Sequence, residues 1–182
     1  MTRYLIIQVL ALAFCIPSLA TADTITVCAS GCDYTSINAA IDASSNGDVI
    51  ELSAGTHALS ESITILSTDP QVTLRGIVGS DGTPQTILDG GGSNRVLNID
   101  TASGITHRFE NLVIQNGEAG NAFGGGALVN GEGTVVFSNC LILDNAARRG
   151  AGLYVDSTSL QIDGCTFQTN MGNYADVGLR DG

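Results

Sequence analysis

No lysine occurs in the 182 residues, so the cationic side chains are seven arginines. Set against 18 acidic residues, they leave a formal net charge of −11. Such a surface repels nucleic acid and anionic lipid, because both are held by cationic neutralisation of phosphate. Neither is expected as a partner. Histidine is almost as scarce, with His57 and His107 the only two. Neither lies at ligand spacing from Cys28 and Cys32, which argues against a zinc site there and leaves no metal expected. Charged residues make up only 14%, while hydrophobic residues reach 43% and recur throughout, a composition that excludes disorder. Tryptophan is absent and proline limited to three residues, whereas glycine is abundant at 23. The length suits one domain with a real core.

The longest apolar run, "YLIIQVLALAFCIP", is too short for a membrane span of roughly 20 residues. Arg3 precedes it and "SLATAD" follows, with Ala20 and Ala22 in the A-x-A pattern of a cleavage site. Residues 1–22 therefore read as a signal peptide cleaved before Asp23, and the protein as secreted or cell-surface. The bulky Phe14 beside Cys15 argues against lipid modification of that cysteine. Loss of Arg3 with the leader moves the net charge to −12. Disulfides persist in exported chains, and Cys28 and Cys32 in "CASGCD" are the candidate pair.

The stretch "GGGALVN" (124–130) could be a phosphate-cradling loop, but no helical pattern follows it. A repeat explains it better. "GGALVNGEGTVVFSNCLILDN" (125–145) aligns without a gap on "GAGLYVDSTSLQIDGCTFQTN" (150–170), at a constant offset of 25. Gly125 meets Gly150, Leu128 meets Leu153, Phe137 meets Ile162, Cys140 meets Cys165 and Asn145 meets Asn170. "RFENLVIQNG" (108–117) repeats the second half, and Leu52, Leu74 and Leu97 lie 22 and 23 residues apart. Short strands at this period imply a parallel β-solenoid, since one coil cannot bury its inward face alone. The alternation points Leu128, Leu153, Phe137, Ile162, Ile142 and Phe167 inward. A β-sandwich of short strands is the alternative, but it requires no constant register.

Residues 23–47 form an N-terminal segment carrying a capping helix. In "YTSINAAIDASS" Tyr34, Ile37, Ala40 and Ile41 share one face, Thr35 or Ser36 can cap the start, and Gly47 ends it. The helix would cover the first open edge. Residues 48–182 form the β-helix, about five to six turns, with no matching cap at the far end and scope for end-to-end or edge association.

The early segments "YTSINAAIDASSNGDVIELSAGTH" and "VTLRGIVGSDGTPQTILDGGG" resemble right-handed parallel β-helix proteins of the pectin-lyase-like superfamily. The later coils resemble repeats of polymorphic outer-membrane proteins, marked by G-G-A-[ILV] and F-x-x-N. Gly125 to Leu128 match the first motif and Phe167 to Asn170 the second, and both decay in other coils. The resemblance implies a right-handed parallel β-helix of all-β class, a fold that hosts lyases, hydrolases and adhesins.

Lyases of that superfamily use calcium held by outward carboxylates, with an arginine as base. The outward column expected here, Asn98, Val129, Tyr154 and Arg180, has no carboxylate, and Asp100 and Asp156 are separated by Gly131. Calcium is thus not supported and no cofactor is expected. The hydrolases' clustered aspartates and histidine-glycine signature are missing too, so no catalytic residue is assigned. Arg148 and Arg149 form the only basic pair and, with an exposed Tyr154, are the candidate ligand-binding residues; a solvated turn near Asp144 is the plainer reading. Cys140 and Cys165 stack as two thiols or as a disulfide, and Asn145 and Asn170 as an amide ladder. The expected function is a non-catalytic module binding a glycan or a surface protein, as adhesins do. The alternative is a degenerate or incomplete polysaccharide lyase or glycoside hydrolase.

Overall fold

The structure, a computed structural model, describes residues 22–172 and 177–180. The expected signal peptide lies outside the described residues except for Ala22. Beyond it, β-branched and aliphatic residues alternate with polar ones in short runs, the pattern of a strand with one buried face. The first runs are β1 (Thr24–Val27), the helix α1 (Ile37–Ala43), β2 (Val49–Leu52), β3 (Gly55–Ala58), β4 (Ile63–Ile65), β5 (Thr73–Arg75) and β6 (Thr86–Asp89). Next come β7 (Leu97–Thr101), β8 (Thr106–Glu110), β9 (Leu112–Gln115), β10 (Ala127–Gly131), β11 (Thr134–Ser138) and β12 (Leu141–Leu143). The chain continues through β13 (Ala146–Ala147), β14 (Leu153–Asp156), β15 (Ser159–Asp163), β16 (Thr166–Gln168), β17 (Met171–Gly172) and β18 (Val177–Arg180).

From β2 onward, successive strands fall in different sheets, and each pairs with the strand one coil away. The six-stranded sheet runs β1-β2-β5-β8-β11-β15; two five-stranded sheets run β18-β14-β10-β7-β4 and β16-β12-β9-β6-β3. A short pair, β13-β17, fills one corner. Every pairing between these strands is parallel. The chain is a parallel β-solenoid of about six turns with one short helix.

Inward residues form ladders. In the six-stranded sheet Ile50, Leu74, Phe109 and Phe137 are fully buried one above another, and the two phenyl rings stack with centroids 5.0 Å apart. Ile162 continues that ladder but is 41% exposed, because β15 is the sheet's last strand.

The helix matches its sequence expectation. Ser36 is the N-cap and accepts from the Ala39 N–H at 3.3 Å, while Ile37, Ala40 and Ile41 are buried. Cys28 and Cys32 form the expected disulfide. One strand escaped the sequence reading: β1, ahead of the helix, pairs with β2 and opens the six-stranded sheet.

The constant 25-residue register holds in two sheets and fails in the third. Phe137 pairs Ile162 and Ile142 pairs Phe167, as expected. Leu128, however, pairs Tyr154, and Leu153 lies on Ala127, an offset of 26. The cause is local: three residues separate the paired positions Asn130 and Thr134, but only two separate Asp156 and Ser159. A slip of one residue reverses facing, so Ala127 and Val129 point inward and Leu128 outward, and Gly124 rather than Gly125 matches Gly150. Leu52, Leu74 and Leu97 likewise share no ladder, since Leu74 lies on Ile50 and Leu97 on Ile63.

Corners repeat as faithfully as strands. Asn111, Asn139 and Gly164 occupy equivalent positions with φ of 59°, 50° and 61°. A left-handed backbone costs an ordinary residue roughly 1–2 kcal/mol, and Asn and Gly tolerate it best. Here the Asn139 amide also donates to Asn111 Oδ1 at 2.9 Å. The Asn145–Asn170 ladder forms as well: Asn145 Nδ2 donates to Asn170 Oδ1 and to the Ile114 carbonyl, both at 3.0 Å. Its Oδ1 accepts from the Gly117 N–H at 2.8 Å.

Candidate ligand-binding site

The basic pair lies at the corner between β13 and β14. Here Ala146 pairs in parallel with Glu118 on one side and Met171 on the other. The Arg148 N–H donates to the Ala122 carbonyl, and the Arg149 carbonyl accepts from the Gly124 N–H. Both arginine side chains are exposed. That pairing fixes the backbone and lets the Arg148 side chain reach an open cleft of about 540 Å³, lined also by Glu118, Asn121, Asn170 and Met171.

Tyr154 departs from the expected picture. Its position is outward, in the column Asn98, Leu128, Tyr154, Gly178, but the side chain is only 5% exposed. Phe123, carried by the loop between β9 and β10, stacks on it with centroids 4.5 Å apart and planes 15° apart. Val129 leaves the expected outward column for the core, and Arg180 moves to the column of Asp100, Asn130 and Asp156. Arg180 meets Asp156 at 3.5 Å, a pair exposed enough to contribute little to stability.

Arg95 holds the loop that covers Tyr154. Its Nε donates to the Gly124 carbonyl at 2.7 Å and its Nη2 to the Phe123 carbonyl at 2.8 Å. Burial pulls its pKa below the ordinary guanidinium value. The glycine run at 124–126 completes the corner. A Cβ on Gly124, Gly125 or Gly126 would strike the carbonyl of Ala127, Ala146 or Gly152 respectively. "GGGALVN" is a close-packed corner. Sequence reasoning missed the part played by Phe123 and Arg95, because neither belongs to the repeat.

A second cavity, of about 400 Å³, opens at the helix end between Thr35, Ser36, Asn38, His57, Ser60 and Glu61. His57 Nε2 lies 3.0 Å from the Ser53 carbonyl, and Asn38 Nδ2 lies 3.3 Å from Glu61 Oε1. These contacts brace the corner under the helix. Among the described residues no three His, Cys, Asp or Glu side chains gather as a metal ion would require, and no helix is long and apolar enough to cross a membrane.

Comparison with protein-family models finds no match, and searches of curated proteins and of solved structures return none either. What stands of the family resemblance is therefore its architecture, a parallel β-solenoid built from repeats.

Proposed function

We propose that the protein is an exported, non-catalytic solenoid module that binds a neutral glycan in the cleft beside Arg148. The observation that carries this reading is the cleft's lining. A guanidinium, a carboxylate and an amide, from Arg148, Glu118 and Asn121, line an open volume whose floor includes Asn170, itself hydrogen-bonded to Asn145 and to the Ile142 carbonyl. Hydroxyl groups, each donor and acceptor at once, suit such a mixture. The net charge of −11 disfavours polyanionic glycans. Export is supported by the leader pattern of residues 1–22 and by the Cys28–Cys32 disulfide, a bond that persists in oxidising compartments. Kinship with the pectin-lyase-like superfamily and with polymorphic outer-membrane repeats belongs to the same proposal, and rests on the motifs and the solenoid.

The test is a panel of immobilised neutral and acidic glycans probed with the full chain, followed by titration calorimetry on any hit. Arg148→Ala and Asn121→Ala should each weaken binding at least about fivefold, the loss of one hydrogen bond of about 1 kcal/mol. Binding restricted to polyanions, or unchanged by either substitution, would overturn the assignment. Release of unsaturated products from polygalacturonate with calcium would overturn the non-catalytic part.

A further inference from the structure

Cys140 and Cys165 occupy equivalent positions on adjacent coils, just before β12 and β16, where Leu141 pairs with Thr166. Both are free thiols, yet their surroundings differ sharply. Cys140 is 2% exposed, and its Sγ lies 3.4 Å from both the Phe109 and the Ser138 carbonyl oxygens. Cys165 is half-buried, on the last coil that carries both β15 and β16. Its sulfur accepts the Cys140 backbone N–H at 3.4 Å. Parallel neighbours sit roughly 4.8 Å apart, inside the Cα separation that a disulfide spans.

We propose that Cys165 is a thiol-modification site that exchanges with small-molecule disulfides, and that Cys140 is its resolving partner. In the first step the Cys165 thiolate attacks one sulfur of a disulfide RSSR. A mixed disulfide forms and RS⁻ leaves. In the second, Cys140 Sγ attacks the Cys165 sulfur of that adduct, expelling a second RS⁻, and the Cys140 proton passes to the departing thiolate. RSSR is reduced to two RSH, and the two cysteines are oxidised to one disulfide joining neighbouring coils.

The electrostatics assign the roles. The neighbouring Cys140 thiol lowers the Cys165 pKa to about 7; burial opposes this, and the Cys140 N–H assists. The carboxylate of Asp163, the charged group acting on Cys165, opposes ionisation, while the Asp163 carbonyl is 3.5 Å from the sulfur. The Cys165 sulfur, with burial, pushes Cys140 up. The accessible sulfur is thus the nucleophile and the buried one waits. Near pH 7 about half of Cys165 is thiolate, against a few per cent for an ordinary thiol of pKa about 8.5. Lower basicity removes part of that gain, so attack should run about threefold faster than an unperturbed thiol of equal access.

The experiment exposes the folded full chain to oxidised glutathione and follows Cys140 and Cys165 by peptide-mapping mass spectrometry. The expected product is the internal Cys140–Cys165 disulfide. Cys140→Ala should stop at a stable glutathione adduct on Cys165, and Cys165→Ala should leave Cys140 unmodified. Circular dichroism checks that each variant folds. On the unaltered chain, which needs no variant, limiting iodoacetamide should alkylate Cys165 before Cys140, with a rate midpoint near pH 7. Independent adducts on both cysteines, no reaction at either, or Cys140 reacting first would overturn the proposal.

Discussion

Replacing Asn145 by alanine tests whether the corner amides hold the coils together. Asn145 is fully buried, and its side chain serves three groups: the Gly117 N–H, the Ile114 carbonyl and Asn170 Oδ1. Alanine leaves the first two without this partner, where no water reaches. An orphaned buried group costs about 1–3 kcal/mol, and the carbonyl keeps a second lone pair for other donors, so the total should be about 2–4 kcal/mol. For a domain of this size that lowers Tm by roughly 5–15 °C. Asn170→Ala is the matched control. It removes the donor to the Ile142 carbonyl and an acceptor for Asn145, but Asn170 is half-buried and water can substitute. Its cost should be about 1 kcal/mol. Asn145→Asp keeps the acceptor for Gly117 yet sets a charge against two oxygens, and should be worse than alanine. Urea unfolding followed by far-ultraviolet circular dichroism ranks the three. An Asn145→Ala variant within about 0.5 kcal/mol of the parent, the range of an ordinary surface change, or equal to Asn170→Ala, would refute a stabilising role for the corner amides.

Three further outcomes follow from the same structure. Gly126→Ala drives a Cβ into the Gly152 carbonyl and should cost about 1–3 kcal/mol in urea unfolding; Gly92→Ala, with positive φ but open surroundings, should cost about 1 kcal/mol. His107 is 1% exposed, with Nδ1 accepting from the Val72 N–H at 3.5 Å and Nε2 lacking a partner among the described residues. Burial lowers its pKa from 6.5, partly offset by Asp69. The unfolded chain therefore takes up a proton first as pH falls below 6.5. Stability is full above that pH and declines below it, and His107→Leu should flatten the decline between pH 7 and 5.5. Phe123→Ala uncovers Tyr154 and should make it the newly reactive residue in tyrosine nitration; equal reactivity in the parent would contradict the stack.

The fold was legible wherever one residue type must recur at one height. Phe109 above Phe137, Cys140 beside Cys165 and Asn145 above Asn170 preserved the 25- to 28-residue step, because ladders and corner amides demand like on like. A single offset could not serve the sheet of β10 and β14, where one corner is a residue shorter and Leu128 turns outward. The strand β1 was overlooked because "TITV" stands alone, ahead of the disulfide loop, with no repeat to flag it. At the candidate site, Arg148 and Arg149 were visible as the only basic pair. The cover on Tyr154 was not, since Phe123 and Arg95 come from outside the periodic pattern, the first acting by ring stacking and the second through loop carbonyls.

Pulsed dipolar EPR probes the stacking of the coils directly. Thr24, Val49, Thr73, Arg108, Val136 and Gln161 lie in one column across the six-stranded sheet. Labels placed at Thr24 and Gln161 by non-cysteine chemistry are five strand spacings apart, about 24 Å. A narrow distribution centred near that distance is the predicted result. A mean beyond about 35 Å, or a broad distribution, would contradict the solenoid and every register drawn from it.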